Sequence, residues 1–204
     1  MGKIEISKIL KAMKATEIPA SKVGLWSVRK YNIEKYILSP NKKQVITPGC
    51  FTKLSKMTWA TRHLGGECVM ADYDMELKKH LQFILVARGN IIVSGLGLGC
   101  IVRGLLCKPE VTSIEVLEKE KAVIDLVSPY MPKDSRLKIY YKDALRFSLN
   151  GKLWDYAWHD IWTENNKGLQ KKHAELIVKF MNSARYQGAW NFPRELKKLC
   201  ELIG

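Results

Sequence analysis

The stretch that most constrains this chain runs from Asn90 to Glu118, and within it Ile91-Ile92-Val93-Ser94-Gly95-Leu96-Gly97-Leu98-Gly99. A short β-branched apolar run reads as a buried strand, and this one runs straight into glycines at every second position. Glycine lets the backbone adopt positive φ and lie within contact distance of a ligand. Cys100 to Leu106 then carries apolar residues at helical spacing, so the glycines form a strand-to-helix turn. A second apolar strand, Val111 to Leu117, ends in Glu118. An acid about 20 positions beyond a glycine-rich turn is how doubly wound sheets hold a nucleoside, the carboxylate accepting hydrogen bonds from ribose hydroxyls.

The same alternation continues downstream. Lys119 to Tyr130 reads as a helix ended by Pro129 and Pro132, Leu137 to Tyr141 as a third strand, and Trp154 to His159 as a fourth. Leu169 to Arg185 is helical, and Pro193 to Leu202 forms a final short helix with proline in its first turn. Upstream, Met75 to Arg88 reads as a helix capped from Asp72-Tyr73-Asp74 and stopped by Gly89. Alternating strands and helices predict an α/β domain over residues 65–204, a doubly wound and mostly parallel sheet with helices on both faces. Residues 1–64 follow a different pattern. Met1 to Lys14 is a short amphipathic helix or an entering strand, and Trp26 to Tyr31, Lys35 to Leu38 and Val45 to Gly49 are short strands with polar turns between them. They predict a small antiparallel, hairpin-like β element ahead of the main domain.

Ligands of an open parallel sheet sit outside the carboxyl ends of its strands. Gly95, Gly97, Gly99, Glu118, Asp143 and Asp160 would all gather at that edge. The glycines bring backbone amides and a helix N-terminus to the ligand. Glu118 suits the two ribose hydroxyls, or is a solvated strand-end acid. Asp143, followed by the small Ala144, leaves room for an adenine ring beside its carboxylate, or caps the segment that follows. Asp160 stands at the mouth, as a general base, an acceptor-orienting residue or a cap. His159 precedes it and would point to the opposite face, which weakens a His–Asp pair between these two. His63, His80 and His173 are scattered without metal-ligand spacing and read as structural, so no metal is expected. Trp154, Trp158 and Trp162 wall a pocket or fill the core.

Composition narrows the setting. The chain has 204 residues, enough for one good core with a small appendage. No apolar run approaches the ~20 residues that cross a bilayer, and the N-terminus lacks the apolar centre of a signal peptide. Five Cys form no CxxC pair, which suits reduced thiols and a cytoplasmic location. The net charge is +14, and 12 of the 34 Lys and Arg but only 3 of the 20 acids fall within residues 1–60. That basic N-terminal third either keeps the protein soluble or meets a phosphate-rich partner such as nucleic acid.

Together these residues resemble the Rossmann-like (class I) methyltransferases that use S-adenosylmethionine, and within them the spermidine synthase-like branch. In that branch the ribose acid is followed by a second acid two positions on and by an apolar-apolar-acid-Leu run, here Glu120 and Val123-Ile124-Asp125-Leu126. Its Asp-Ala or Asp-Gly pair for adenine matches Asp143-Ala144, and its aromatic-Asp-apolar strand ending in Asp matches Trp154-Asp155-Tyr156 and Asp160. Its N-terminal hairpin domain is similar to the β element before the sheet. The likeness covers about residues 65 to 165 and is specific for the cofactor rather than the acceptor.

The departures bear on the reaction. Spermidine synthases carry acidic pockets for a cationic amine, whereas this chain is basic, and Asp160-Ile161-Trp162-Thr163-Glu164 is not their usual continuation. The same segment lacks the Asp-Pro-Pro-Tyr type signature of amino-group DNA methyltransferases and the Pro-Cys pair of cytosine carbon methylation. Trp158 to Trp162 is similar to small, uncharacterised bacterial and phage members. The resemblance implies S-adenosylmethionine as cofactor, methyl transfer to an unidentified acceptor, and Asp160 as the base where the acceptor must lose a proton. The alternatives are an aminopropyltransferase or another enzyme acting on the same cofactor, and a protein that binds cofactor or nucleic acid without catalysis. A homodimer is an open assembly, and no membrane partner is expected.

Overall fold

The computed structural model describes residues 3–38, 45–161 and 166–190. The helix expected over 193–202, together with Trp162 and Glu164, lies outside the described residues.

The centre is a five-stranded parallel sheet built from β7 (Gly89–Ser94), β8 (Val111–Glu118), β9 (Leu137–Tyr141), β10 (Trp154–His159) and β11 (Ala184–Ala189). Its order is β9-β8-β7-β10-β11, and every neighbouring pair is parallel. The chain leaves β7 toward β8 on one side and returns as β10 on the other, so the order reverses between β7 and β10. That is the topological switch point of a doubly wound, Rossmann-like sheet. Strand side chains alternate between faces. Ile91 and Val93 enter one apolar cluster with Phe83, Ile84 and Leu105, while Ile92 enters a second with Ala157, Leu176 and Phe180. Helices α2 (Asp74–Val86), α3 (Cys100–Leu106) and α4 (Lys121–Val127) supply the first face, and α5 (Asn166–Phe180) the second.

The β11 strand departs from expectation. Helix α5 ends at Phe180 rather than Arg185, and Ala184–Ala189 adds to the sheet beside β10. Its sequence has little apolar alternation of its own. The strand is specified by its partner, because Gly188 lies opposite Trp158 and a Cβ there would stand 2.9 Å from the indole ring.

Ahead of the parallel sheet, α1 (Lys3–Ala12) packs on α3, and β1 (Ser21–Val23), β2 (Trp26–Ile33), β5 (Gly49–Lys56) and β6 (Glu67–Ala71) form an antiparallel sheet ordered β1-β2-β5-β6. The strands β3 (Ile37–Leu38) and β4 (Val45–Ile46) form a separate short hairpin. The antiparallel element, expected over residues 20–60, also takes in Glu67–Ala71, since β6 pairs with β5. Trp26, Val28 and Leu54 from this sheet join the same cluster as Ile91 and Val93, so the two sheets share one core.

The ends of α2 also differ from what local signals suggested. Tyr73 occupies the N-cap position and no side chain caps the helix. Asp72 turns inward instead and is fully buried. At the other end the helix stops at Val86, and Gly89 opens β7 with a φ of +69°. The carbonyls left over at the helix end are bound by Lys108, whose buried Nζ donates to Ile84 O (2.9 Å), Leu85 O (2.8 Å) and Ala87 O (2.7 Å). Lys108→Met should therefore cost about 2–4 kcal/mol, as charge-assisted bonds to buried carbonyls are lost, read as a lower midpoint in urea unfolding.

Candidate functional site

The glycine turn is held by the two strands that flank it. Gly95 N donates to Leu117 O (2.8 Å) on one side, and Asp160 N donates to Ser94 O (2.8 Å) on the other. Gly95 has a φ of +95°, and a Cβ there would collide with the backbone carbonyl of Asp160. Gly99 stands in the left-handed region as the N-cap of α3. The side on which a Cβ would project is filled by protein at all three glycines: Asp160 at Gly95, Met70 at Gly97 and Met131 at Gly99. The amide of Leu98 donates to Met70 Sδ (3.4 Å), so the antiparallel sheet reaches over the turn.

Glu118 ends β8 and is only 7% exposed. One carboxylate oxygen accepts from Leu96 N (2.8 Å) and the other from Glu120 N (2.8 Å). The acid thus ties the glycine turn to the start of α4. Burial pushes its carboxyl above the usual carboxylate range, and the Leu96 and Glu120 amides oppose that rise. The Lys119 amide also acts on this carboxylate, which with about four lone-pair sites keeps room for a further donor. Glu120 in turn accepts from Trp26 Nε1 (3.3 Å) and Lys56 Nζ (3.5 Å) of the antiparallel sheet.

Asp143 lies two residues past β9, beside Glu118 through Lys142 N, which donates to Glu118 O (2.9 Å). Its Oδ1 accepts from Leu145 N (2.9 Å), so it caps the turn that follows, while its side chain stays 36% exposed. Ala144 is buried in the second apolar cluster with Leu117 and Trp154, rather than lining open space. Lys179 of α5 donates to the carbonyls of Ala144 (3.0 Å) and Leu145 (2.8 Å) and fixes the turn from below.

Asp160 follows β10 at the switch point, with 26% of its side chain exposed. Burial, reinforced by Glu76, pushes its carboxyl up to about 7. Lys79 pulls the other way, as does the nearby Trp158 indole, whose Nε1 makes no hydrogen bond. Asp160 Oδ2 stands 3.9 Å from His80 Nε2, a side chain carried by α2. His159 points away, as strand alternation requires. It shares hydrogen bonds with Ser94 Oγ (2.9 Å) and Gln187 Oε1 (3.1 Å) and packs against Phe180. Trp154 and Trp158 are both core residues.

Gly95 thus meets Asp160 directly, Glu118 joins the turn through the amide of Leu96, and Asp143 follows Lys142, whose amide binds the carbonyl of Glu118. His80 and Met70 also reach this edge, from α2 and β6. The signal for His80 was its place in the buried stripe Leu77, His80, Phe83 and Ile84, where a polar residue needs a partner. Met70 carried no such signal. Among the described residues no group of three or more His, Cys, Asp or Glu is arranged to hold a metal ion, and no helix is long and apolar enough to cross a membrane. Cys50, Cys68, Cys100 and Cys107 are all free thiols.

No family model matches the chain. A polyamine aminopropyltransferase from Alkaliphilus oremlandii is 36% identical over 64 residues, 28% of this chain and 22% of that protein, so the chain matches less than a quarter of this relative's length. Among solved structures, a putative RNA methyltransferase from Pyrococcus horikoshii is similar with a TM-score of 0.46 and 13% identity, over 64% of this chain and 66% of that one. The N-methyltransferase NodS from Bradyrhizobium japonicum is similar with a TM-score of 0.42 and 18% identity, over 54% of this chain and 61% of that one. An amino pentose methyltransferase from Micromonospora echinaspora gives 0.40 and 17%, over 58% and 49%. The doubly wound fold rests on the chain's own strand order.

Proposed function

We propose that this chain is an S-adenosylmethionine-dependent transferase that moves a methyl group to an acceptor held at the carboxyl edge of the five-stranded sheet. The observation that carries it is the bond from Leu96 N to Glu118, which ties the glycine turn after β7 to the acid that ends β8. In this proposal the backbone of Gly95, Gly97 and Gly99 meets the amino-acid tail, and Glu118 takes the ribose hydroxyls. Asp143 flanks the base. When bound, the sulfonium supplies a carbon activated toward in-line displacement.

What this chain adds is position and a proton acceptor. Asp160, raised to about 7, takes the proton of an acceptor that must lose one. A base works in its ionised form, so the transfer rate should rise with pH through about 7 and then level. Asp160→Asn should remove that rise, measured as single-turnover rate against pH.

Glu118→Ala tests the cofactor site. Loss of hydrogen bonds to a charged group should weaken S-adenosylmethionine binding about 100-fold by calorimetry. A variant that melts as the parent does and binds equally well would remove Glu118 from the site.

A second transfer, of an aminopropyl group, is favoured by the local match to an aminopropyltransferase and by Glu76 lying close enough to raise Asp160, which gives this corner some acidic character for a cationic amine. Product mass decides between the two. Incubation with labelled S-adenosylmethionine, its decarboxylated form and candidate acceptor pools, followed by mass spectrometry, reads a methyl or an aminopropyl increment directly.

A further inference from the structure

Helix α2 lays His80 against Asp160, and the surroundings of that imidazole are unusual for a core residue. The side chain is 1% exposed, its ring meets Trp158 edge-on with centroids 5.4 Å apart, and its Nε2 stands 3.9 Å from Asp160 Oδ2. Its Nδ1 is buried with no hydrogen-bond partner, and so is the Nε1 of Trp158 beside it. Leaving a buried polar atom unpaired costs about 1–3 kcal/mol. The neighbouring stripe positions, Leu77 and Ile84, show that an apolar side chain suits this face of α2. An imidazole with that cost, one nitrogen 3.9 Å from Asp160 Oδ2, is better explained by work done on the acid than by packing.

We infer that His80 is a positioning residue for Asp160, its imidazole N–H holding the carboxylate that takes up one proton, and that the attacking atom of the acceptor carries a proton to be removed. The inference rests on the proposed transfer reaction. Before transfer, the neutral imidazole donates its Nε2–H to the ionised carboxylate and keeps it turned to the mouth of the site. The proton leaving the acceptor adds one to the pair and rests on Asp160, because burial keeps the imidazole neutral. An acceptor without a removable proton, such as a thioether, would need no such pair. At 3.9 Å the contact is longer than a hydrogen bond, as contacts of this kind often are before substrate closes the site. Burial keeps His80 neutral, down to about 4, with Lys79 reinforcing. The charged and titratable groups facing the pair are Glu76 and Lys79 from α2 and the Cys100 thiol from α3.

The test needs no acceptor. Protein labelled with carbon-13 at the Asp γ-carbon and nitrogen-15 in His is titrated by NMR from about pH 4 to about pH 9. The expected result is an inflection near pH 7 common to the Asp160 and His80 signals, absent from His80 in Asp160→Asn. His80→Phe, which keeps a ring but removes the donor, should raise the Asp160 midpoint by about one unit, and His80→Gln, which retains an N–H, should restore part of it. An unchanged Asp160 midpoint in a folded His80→Phe protein would overturn the inference. Should that variant not fold, a His80 titration indifferent to Asp160→Asn overturns it alone. Calorimetry with S-adenosylmethionine on the parent protein separates the two levels. Absence of binding there ends the transfer proposal, whereas the positioning role stands or falls on the NMR.

Discussion

Gly95→Ala is expected to destabilise the chain by more than about 3 kcal/mol and to abolish cofactor binding. Two independent costs meet at this residue. A φ of +95° is strained for any L side chain, which costs about 1–3 kcal/mol. The added Cβ would also collide with the carbonyl of Asp160, and that atom is backbone, pinned by the bond from Asp160 N to Ser94 O. Relief requires the ends of β7 and β10 to separate, which displaces the glycine turn and Asp160 together. Gly151→Ala supplies the control. Gly151 has a φ of +72° but nothing within 4 Å of a built Cβ, so its replacement measures backbone strain alone. Chemical denaturation of both variants should show Gly95→Ala as the more destabilised by at least about 2 kcal/mol. Equal losses would show that the crevice between β7 and β10 can widen at little cost.

Asp72→Ala should remove about 3–5 kcal/mol of stability, the scale seen when one partner of a buried charged network is deleted. Asp72 is fully buried where β6 turns into α2. Its Oδ1 accepts from Thr52 N (2.7 Å) of β5, and its Oδ2 accepts from Ala15 N (3.0 Å) just after α1. Lys14 Nζ donates to its backbone carbonyl (2.9 Å), and Lys30 Nζ reaches Thr52 Oγ1 (2.7 Å) and Ala15 O (3.1 Å). One carboxylate therefore joins three segments far apart in sequence. Alanine would strand two buried amides and leave Lys30 facing them without its acid. Asp72→Asn keeps the shape but presents an N–H to one of the amides, so an intermediate loss of about 2 kcal/mol is expected. Unfolding in urea followed by circular dichroism measures both, and a loss below about 1 kcal/mol for Asp72→Ala would mean that α1 and the antiparallel sheet do not depend on this acid.

Much of the parallel sheet was legible because its signals are local. Ile91 to Ser94, Val111 to Leu117, Leu137 to Tyr141 and Trp154 to His159 are apolar or aromatic runs bounded by glycine, proline or charge, and all four are strands. The elements misread were those whose cause lies elsewhere in the chain. Nothing in Ala184 to Ala189 marks a strand until Trp158 is placed opposite Gly188. Asp72 has the composition of a helix cap, and its burial follows only from the approach of Ala15 and Thr52. Gly89 looks like a helix stop, yet the stop is made by Lys108.

The candidate site divides along the same line. The order of residues settled by itself that Gly95, Glu118, Asp143 and Asp160 end or follow strands, since hydrophobic periodicity and glycine placement act within a few residues of each position. Strand order, and with it the meeting of Gly95 with Asp160 across the β7–β10 crevice, was decided by packing between segments. So was the arrival of His80 and Met70 from other elements. Side chains that reach a site from across the fold carry no local mark of which site they meet, because what positions them is the core they share, not the residues beside them.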